Sequence, residues 1–446
     1  MPRFETLGAA APSSLAPFQR ALLPSGVTMI GRAMPQSAVT SIWIGCHAGA
    51  AHEPAELLGI SHFLEHMFFK GTDRHGPGEM DRIVKGLGGY LNASTTVEST
   101  SYVATVPAEH GAEALAVLAD ALFHSRYEPR EIVREREVIR EEIARKEDNP
   151  AGKLFVEFQA RIGAGTPYGR PVLGTPDTLT QIDQEALRRY FSARYRASNL
   201  VLAVAGQVDL LACAEQAAHL FAMVEAGPRN TVPPFDWQPK PRIEGRVERD
   251  LRHCYLMVGF RTPGLRDPDT AAALELAGAV LGRGRSSRLV RRLREELGIV
   301  SAISAWTWDL SAGGMLVVSA SAEPDREPQV RAEIESAIAR LSRDLVSPEE
   351  CARARTVALA DYHFANETPG DVAATLGQYA VSGRVEEALE YVPRLTRVTP
   401  EAIRDVARRW LDLETAVLTT VAPASTPAAA VSSADPGSAT LARGPR

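Results

Sequence analysis

Apolar residues recur along the chain in two rhythms. Short apolar runs of strand length occur at Val39–Ile44, Ser101–Val106 and Val201–Val204. Longer stretches with helical spacing, such as Ala112–Phe123 and Glu185–Arg194, lie between them. The two kinds alternate irregularly, without a steady strand–helix–strand beat. That predicts an α+β fold with helices packed on mainly antiparallel sheet. Both rhythms stop at Gly227–Gly245, where Pro228, Pro233, Pro234, Pro239 and Pro241 fall in one stretch. Prolines so dense exclude helix and central strand and favour an extended, semi-rigid connector.

The patterns on either side of that connector match. Ile182–Tyr190 (IDQEALRRY) lines up with Val398–Val406 (VTPEAIRDV), which places Glu401 216 residues after Glu185. The same shift lays Asn199–Ala205 (NLVLAVA) on Thr415–Val421 (TAVLTTV), and Thr40–Ile44 on Leu256–Phe260. Three matches at one shift predict two homologous halves. The expected division is a first domain at 18–226, a linker at 227–246, and a second domain at 247–423. From residue 424 onward the chain is rich in Ala, Ser and Pro, and a flexible tail is expected there.

Composition narrows the class. The 446 residues are 45% hydrophobic and 23% charged, which is ordinary for a globular protein and excludes collagen-like and wholly disordered chains. The net charge of −6 argues against nucleic acid or an anionic membrane as partner. Four scattered cysteines without a C-x-x-C pair fit a reducing compartment. Met1–Gln19 lacks the apolar core of a secretory signal, and no window approaches the ~20 apolar residues of a membrane span. A cytoplasmic protein is expected.

The chemistry concentrates in His62-Phe63-Leu64-Glu65-His66. On a helix, positions i and i+4 share a face, so both imidazoles can point at one ion, and neutral imidazole suits zinc. Ser61 is expected to cap this helix and Gly71 to end it. Glu65 lies beside the pair, placed to take a proton from water rather than to ligate; this is the H-x-x-E-H order. A catalytic zinc needs a third protein ligand. The helical stretch from Pro129, PREIVREREVIREEIARKE, groups Ile132, Ile139 and Ile143 on one face. Glu135 and Glu142 border that face, where a carboxylate is costly unless paired or metal-bound. Either can be the ligand, whereas Glu137 and Glu141 point to solvent.

HFLEHMFFKGT, followed some 70 residues later by EREVIREEI, resembles the insulinase/pitrilysin family of zinc metallopeptidases, in particular its short members related to the mitochondrial processing peptidase. The resemblance covers nearly the whole chain, including its two-half design. It implies one zinc ion per chain on His62, His66 and Glu142, Glu65 as catalytic base, and Glu135 supporting a ligating histidine. Gly88-Gly89-Tyr90-Leu91-Asn92-Ala93 resembles the family's Gly-Gly-x-x-Asn-Ala segment, which makes Asn92 and Ala93 substrate-binding candidates on an edge strand.

LGRGRSSRLVRRLREELGIVSAIS resembles the family segment whose arginine and tyrosine, seven residues apart, bind substrate and stabilise the oxyanion. Arg294 holds the arginine position, but Ser301 stands where the tyrosine belongs. The resemblance thus implies a zinc endopeptidase acting on unfolded or short peptides in a chamber. The broken pair leads us to expect a heterodimer, its homologous partner supplying Arg and Tyr; a homodimer is the fallback. The competing expectation is a non-catalytic scaffold subunit of the same family.

Overall fold

The protein is described by a computed structural model covering residues 2–8 and 13–424; the tail expected from residue 424 lies, from 425 onward, outside the described residues. Among the described residues, twelve strands form two sheets. The first contains β1 (Glu5–Leu7), β2 (Phe18–Leu22), β3 (Thr28–Ala33), β4 (Val39–Cys46), β5 (Tyr90–Thr95), β6 (Thr100–Pro107) and β7 (Leu200–Gly206), in the order β1-β2-β3-β7-β4-β6-β5. The second contains β8 (Ile243–Glu248), β9 (Cys254–Thr262), β10 (Ala302–Leu310), β11 (Gly313–Ala322) and β12 (Val417–Ala422), in the order β10-β11-β9-β12-β8. Read from its other edge, the second sheet repeats β3-β7-β4-β6-β5 strand for strand. Each sheet has one parallel pair, β3 with β7 and β8 with β12, and is otherwise antiparallel. The helices Gln184–Arg194 and Pro400–Trp410 stand at the 216-residue shift seen in the sequence. Two homologous α+β halves are therefore present.

Both faces of each sheet are buried, which is why their central strands read as nearly unbroken apolar runs. In β4, Ile42 and Ile44 face the first half's own helices, packing with Phe63, Leu64, Leu115 and Leu118. Trp43 faces the other way and meets Val372, Ala373 and Leu376, on the helix Pro369–Val381 of the second half. The arrangement is reciprocal. Leu154, Phe158 and Ile162, on the first half's helix Pro150–Ile162, pack on Met257, Met315, Val317, Val417 and Val421 of the second sheet. Each half thus lends a helix to the other's sheet. Glycine allows both contacts: a Cβ on Gly377 would sit 2.2 Å from the Trp43 ring, and one on Gly259 2.2 Å from Phe158.

The proline-rich stretch forms no helix or strand between residues 227 and 242, and it is anchored along its length. Asn230 donates to the carbonyl of His47, and the Trp237 indole donates to the carbonyl of Gly314. Among the described residues no helix is long and apolar enough to cross a membrane.

Candidate metal centre

The histidine helix runs Ile60–Met67. Phe63, Leu64 and Met67 are buried in the first core, which turns the remaining face, with His62, Glu65 and His66, toward the carboxylate helix and β5. Its N-cap is Gly59 in the left-handed region (φ 92°), with no side-chain cap of its own. Ser61 therefore does not cap the helix as expected. It lies inside the first turn, where its hydroxyl hydrogen-bonds Tyr190 Oη at 2.8 Å. Gly71 (φ 101°) turns the chain four residues beyond the helix end.

The carboxylate helix spans Pro129–Asp148 and buries Ile132, Glu135 and Ile139; Glu137 and Glu141 are exposed. One oxygen of Glu142 stands 3.7 Å from His62 Nε2 and 3.7 Å from His66 Nε2. Ligands about 2.0–2.2 Å from a tetrahedral zinc are separated by roughly 3.3–3.6 Å; the carboxylate is already near that spacing from both rings, and all three ligand atoms lie within 4.8 Å of one another. His62, His66 and Glu142 are the one group of three possible metal ligands found among the described residues. Of the two carboxylates left open by helical spacing, Glu142 faces both Nε2 atoms. Glu135 lies behind His66, 3.0 Å from Nδ1, and is bound on its other oxygen by Lys70 Nζ at 2.6 Å. A proton on Nδ1 donated to Glu135 leaves Nε2 free to ligate.

Charge in the site is unbalanced in favour of a cation. Burial pushes His62 down to about 4, helped by its neighbour His66. Burial also works against a charge on His66, but the adjoining carboxylates of Glu135 and Glu142 outweigh it and raise that ring to about 9. Burial would raise Glu135, yet its bonds to His66 and Lys70 hold it below the ordinary carboxylate value. Glu142 is likewise held low, first by His66.

Glu65 lies next to this group. Its Oε2 accepts from the Thr95 hydroxyl at 2.5 Å, which opposes the upward push of burial on its pKa. Thr95 ends β5, the last strand of the first sheet, which pairs with β6 alone. Asn92 and Ala93 lie opposite Val103 and Tyr102 on that strand; Asn92 Oδ1 accepts from the Ala93 N–H at 2.9 Å. The structure thus brings His62, Glu65, His66, Glu135 and Glu142 together, with Asn92 and Ala93 on the neighbouring edge strand. Arg294 lies apart from them in sequence, exposed on a helical turn of the second half, and has no hydrogen-bond or ion-pair partner among the described residues. Ser301 Oγ hydrogen-bonds Ser321 Oγ at 2.6 Å.

Sequence reasoning missed Lys70 and Thr95. Lys70 left no periodic signal, because it lies three residues beyond the end of the histidine helix at Met67, whereas Thr95 did. Thr95 shares a strand face with Leu91 and Ala93, which pack on the first core.

An α+β duplication with an H-x-x-E-H helix and a distant glutamate defines a class of metallopeptidase, and the comparisons agree. Residues 28–176 match the family model described as Insulinase (Peptidase family M16), and residues 181–357 match the one described as Peptidase M16 inactive domain. An uncharacterized zinc protease of Rickettsia felis is 30% identical over 395 residues, covering 88% of this chain and 94% of that protein. The uncharacterized zinc protease YmxG of Bacillus subtilis is 32% identical over 319 residues, covering 71% of this chain and 76% of that protein. Among solved structures, a protease from Helicobacter pylori superposes with a TM-score of 0.85 at 21% identity, over 95% of this chain and 100% of that one. Pitrilysin superposes with a TM-score of 0.76 at 22% identity, over 94% of this chain but 46% of its own length. The chain belongs to the insulinase family, peptidase family M16.

Proposed function

We propose that this chain is a zinc-dependent endopeptidase acting on unfolded or short peptides. The observation that carries the reading is the convergence of His62 Nε2, His66 Nε2 and Glu142 Oε2 beside a carboxylate, Glu65, that is not itself part of the triad. Zinc held there would supply Lewis acidity, polarising the scissile carbonyl and acidifying the attacking water. Glu65, steadied by Thr95, takes the water's proton and delivers it to the leaving amine. Glu135 orients His66 and, with Lys70, completes a charge chain behind it. The unpaired edge of β5 offers backbone donors and acceptors to an extended peptide, with Asn92 and Ala93 along it.

Inductively coupled plasma analysis of the purified protein, set beside cleavage of an unstructured peptide, tests this. One zinc per chain and a fall of about 10²–10⁴-fold in kcat for Glu65→Gln are expected, with metal content unchanged. A zinc-free protein, or cleavage indifferent to Glu65, would exclude it and leave the scaffold-subunit reading.

The same proposal extends to assembly. Ser301, engaged with Ser321, has no phenol to offer an oxyanion, and losing one such donor costs roughly 10²–10³-fold in rate. A homologous partner that brings Arg and Tyr into a shared chamber would make good the loss. Ser301→Tyr should therefore raise kcat of the isolated chain by at least tenfold. An unchanged rate together with full activity of the chain alone would remove the reason for a partner.

A further inference from the structure

Glu53 stands outside every motif in the sequence, yet it grips the start of the histidine helix. It is 3% exposed. One carboxylate oxygen accepts from the Gly59 N–H at 2.7 Å, the other from the Ser61 N–H at 2.8 Å. Ser61 directly precedes His62. The helix has only eight residues, too few to be stable on its own propensity, and its first-turn amides have no partners within it. A carboxylate there satisfies two backbone donors at once and lies at the favourable end of the helix dipole.

The surroundings leave this carboxylate little freedom. Arg170 donates to the carbonyls of Glu53 and Ala51, at 2.6 and 3.2 Å. Thr178 donates to the carbonyl of Leu58 at 2.7 Å. Gly59 and Gly174, both at positive φ, interlock so closely that a Cβ on Gly174 would meet Leu58 O at 2.2 Å. The loop ahead of the helix is fixed on one side, and Tyr190 fixes Ser61 on the other. Because Glu142 sits on a different helix, any rotation of the first turn changes the distances from His62 and His66 to it. Ordinary capping needs one side-chain oxygen; a buried carboxylate that uses both oxygens, from eight residues before Ser61, is more than capping requires.

Resting on the zinc-site reading above, we infer that Glu53 is a positioning residue: its carboxylate sets the rotation and height of the histidine helix so that both Nε2 atoms meet Glu142 at ligand spacing. It touches neither metal nor substrate and acts through the Gly59 and Ser61 amides. Glu53→Gln keeps the shape but turns an amide NH₂ toward one of the two donors. Glu53→Asp keeps the charge but is one methylene too short to reach both.

The test compares the wild-type chain, Glu53→Gln, Glu53→Asp and the exposed control Glu56→Gln. Zinc affinity is measured by chelator competition, coordination by the visible spectrum of the cobalt(II)-substituted protein, and kcat and KM on an unstructured peptide. Both Glu53 variants are expected to weaken zinc about 10-fold or more, as loss of a support around a metal ligand does. Their cobalt bands should shift and kcat should fall, with KM near the wild-type value, while Glu56→Gln matches wild type throughout. Variants that lose thermal stability alone, with zinc affinity, cobalt spectrum and kcat intact, would overturn the inference. If Glu53→Gln does not fold, Glu53→Asp decides by the same readouts. A wild-type chain that binds no zinc would instead sink the site reading itself, so the two failures are distinguishable.

Discussion

At the scale of single residues, the pentamer HFLEH was legible because ligand spacing on a helix is a matter of geometry, and Glu142 and Glu135 because carboxylates bordering an apolar face demand an explanation. Their division of labour was not legible from spacing alone. Both border the same face, and only the three-dimensional approach of Glu142 to the two Nε2 atoms, and of Glu135 to Nδ1, separates them. Glu53 was unreadable, since no periodicity links a loop carboxylate to amides six and eight residues away. A second histidine pair, His47 and His52, also lies outside any motif. The rings meet edge to face at 4.8 Å and are 8% and 3% exposed, with Arg170, Arg194 and Arg229 bonded to backbone carbonyls nearby. Burial, with Arg229, pushes His47 down to about 4; burial, with His47 and then the three arginines, pushes His52 down to about 3. Unfolded, both take up a proton below about 6.5. The unfolded state therefore binds more protons between pH 4 and 6.5, and stability falls as the pH drops through that range. Replacing both by Gln should reduce the slope of unfolding free energy against pH by up to ~1.4 kcal/mol per pH unit per histidine. Urea titrations at pH 4.5, 5.5 and 7 would show it, and parallel wild-type and variant slopes would refute it.

At the scale of elements, the duplication could be read because equivalent strands and helices kept one spacing, and the fold class followed. The helix exchange could not be read. Pro150–Ile162 and Pro369–Val381 have ordinary amphipathic sequences, and nothing in an apolar stripe says which sheet it will cover. The close approaches behind the exchange give a sharp expectation. Gly377→Ala places a methyl 2.2 Å from the Trp43 ring, and forcing extra volume into a packed core costs typically 1–3 kcal/mol. Calorimetry should show a lower Tm, with zinc content unchanged because the histidine helix lies on the opposite face of that sheet. An unaltered Tm would mean that the helix sits less tightly on the sheet than described.

At the scale of the whole molecule, the second half does more than accompany the first, although its long helix Pro268–Gly282 carries no histidine. Glu98, in the turn after Thr95, accepts from the Ser311 N–H at 3.0 Å, from the Ser311 hydroxyl, and from Tyr168 Oη at 2.5 Å. Ser99 in the same turn meets Gln378 at 3.3 Å. The β10–β11 hairpin and the exchanged helix thus grip the turn next to the residue that steadies Glu65. Glu98→Gln, by leaving a buried partner unsatisfied, should cost about 1–3 kcal/mol. It should also speed amide exchange at residues 311–313, read by mass spectrometry; protection equal to wild type would show that this clamp is not holding.

The lent helices bear on how the molecule is made. Synthesis runs from the amino end, so the histidine helix, the carboxylate helix and the whole first sheet leave the ribosome well before Pro369–Val381 exists. Until then Trp43, Ile30 and Ala203 lack the cover that helix gives them, and the nascent first sheet carries an open greasy face while the stretch between Gly206 and Pro369 is made. A helix made late in the chain thus finishes the domain that the first strands began.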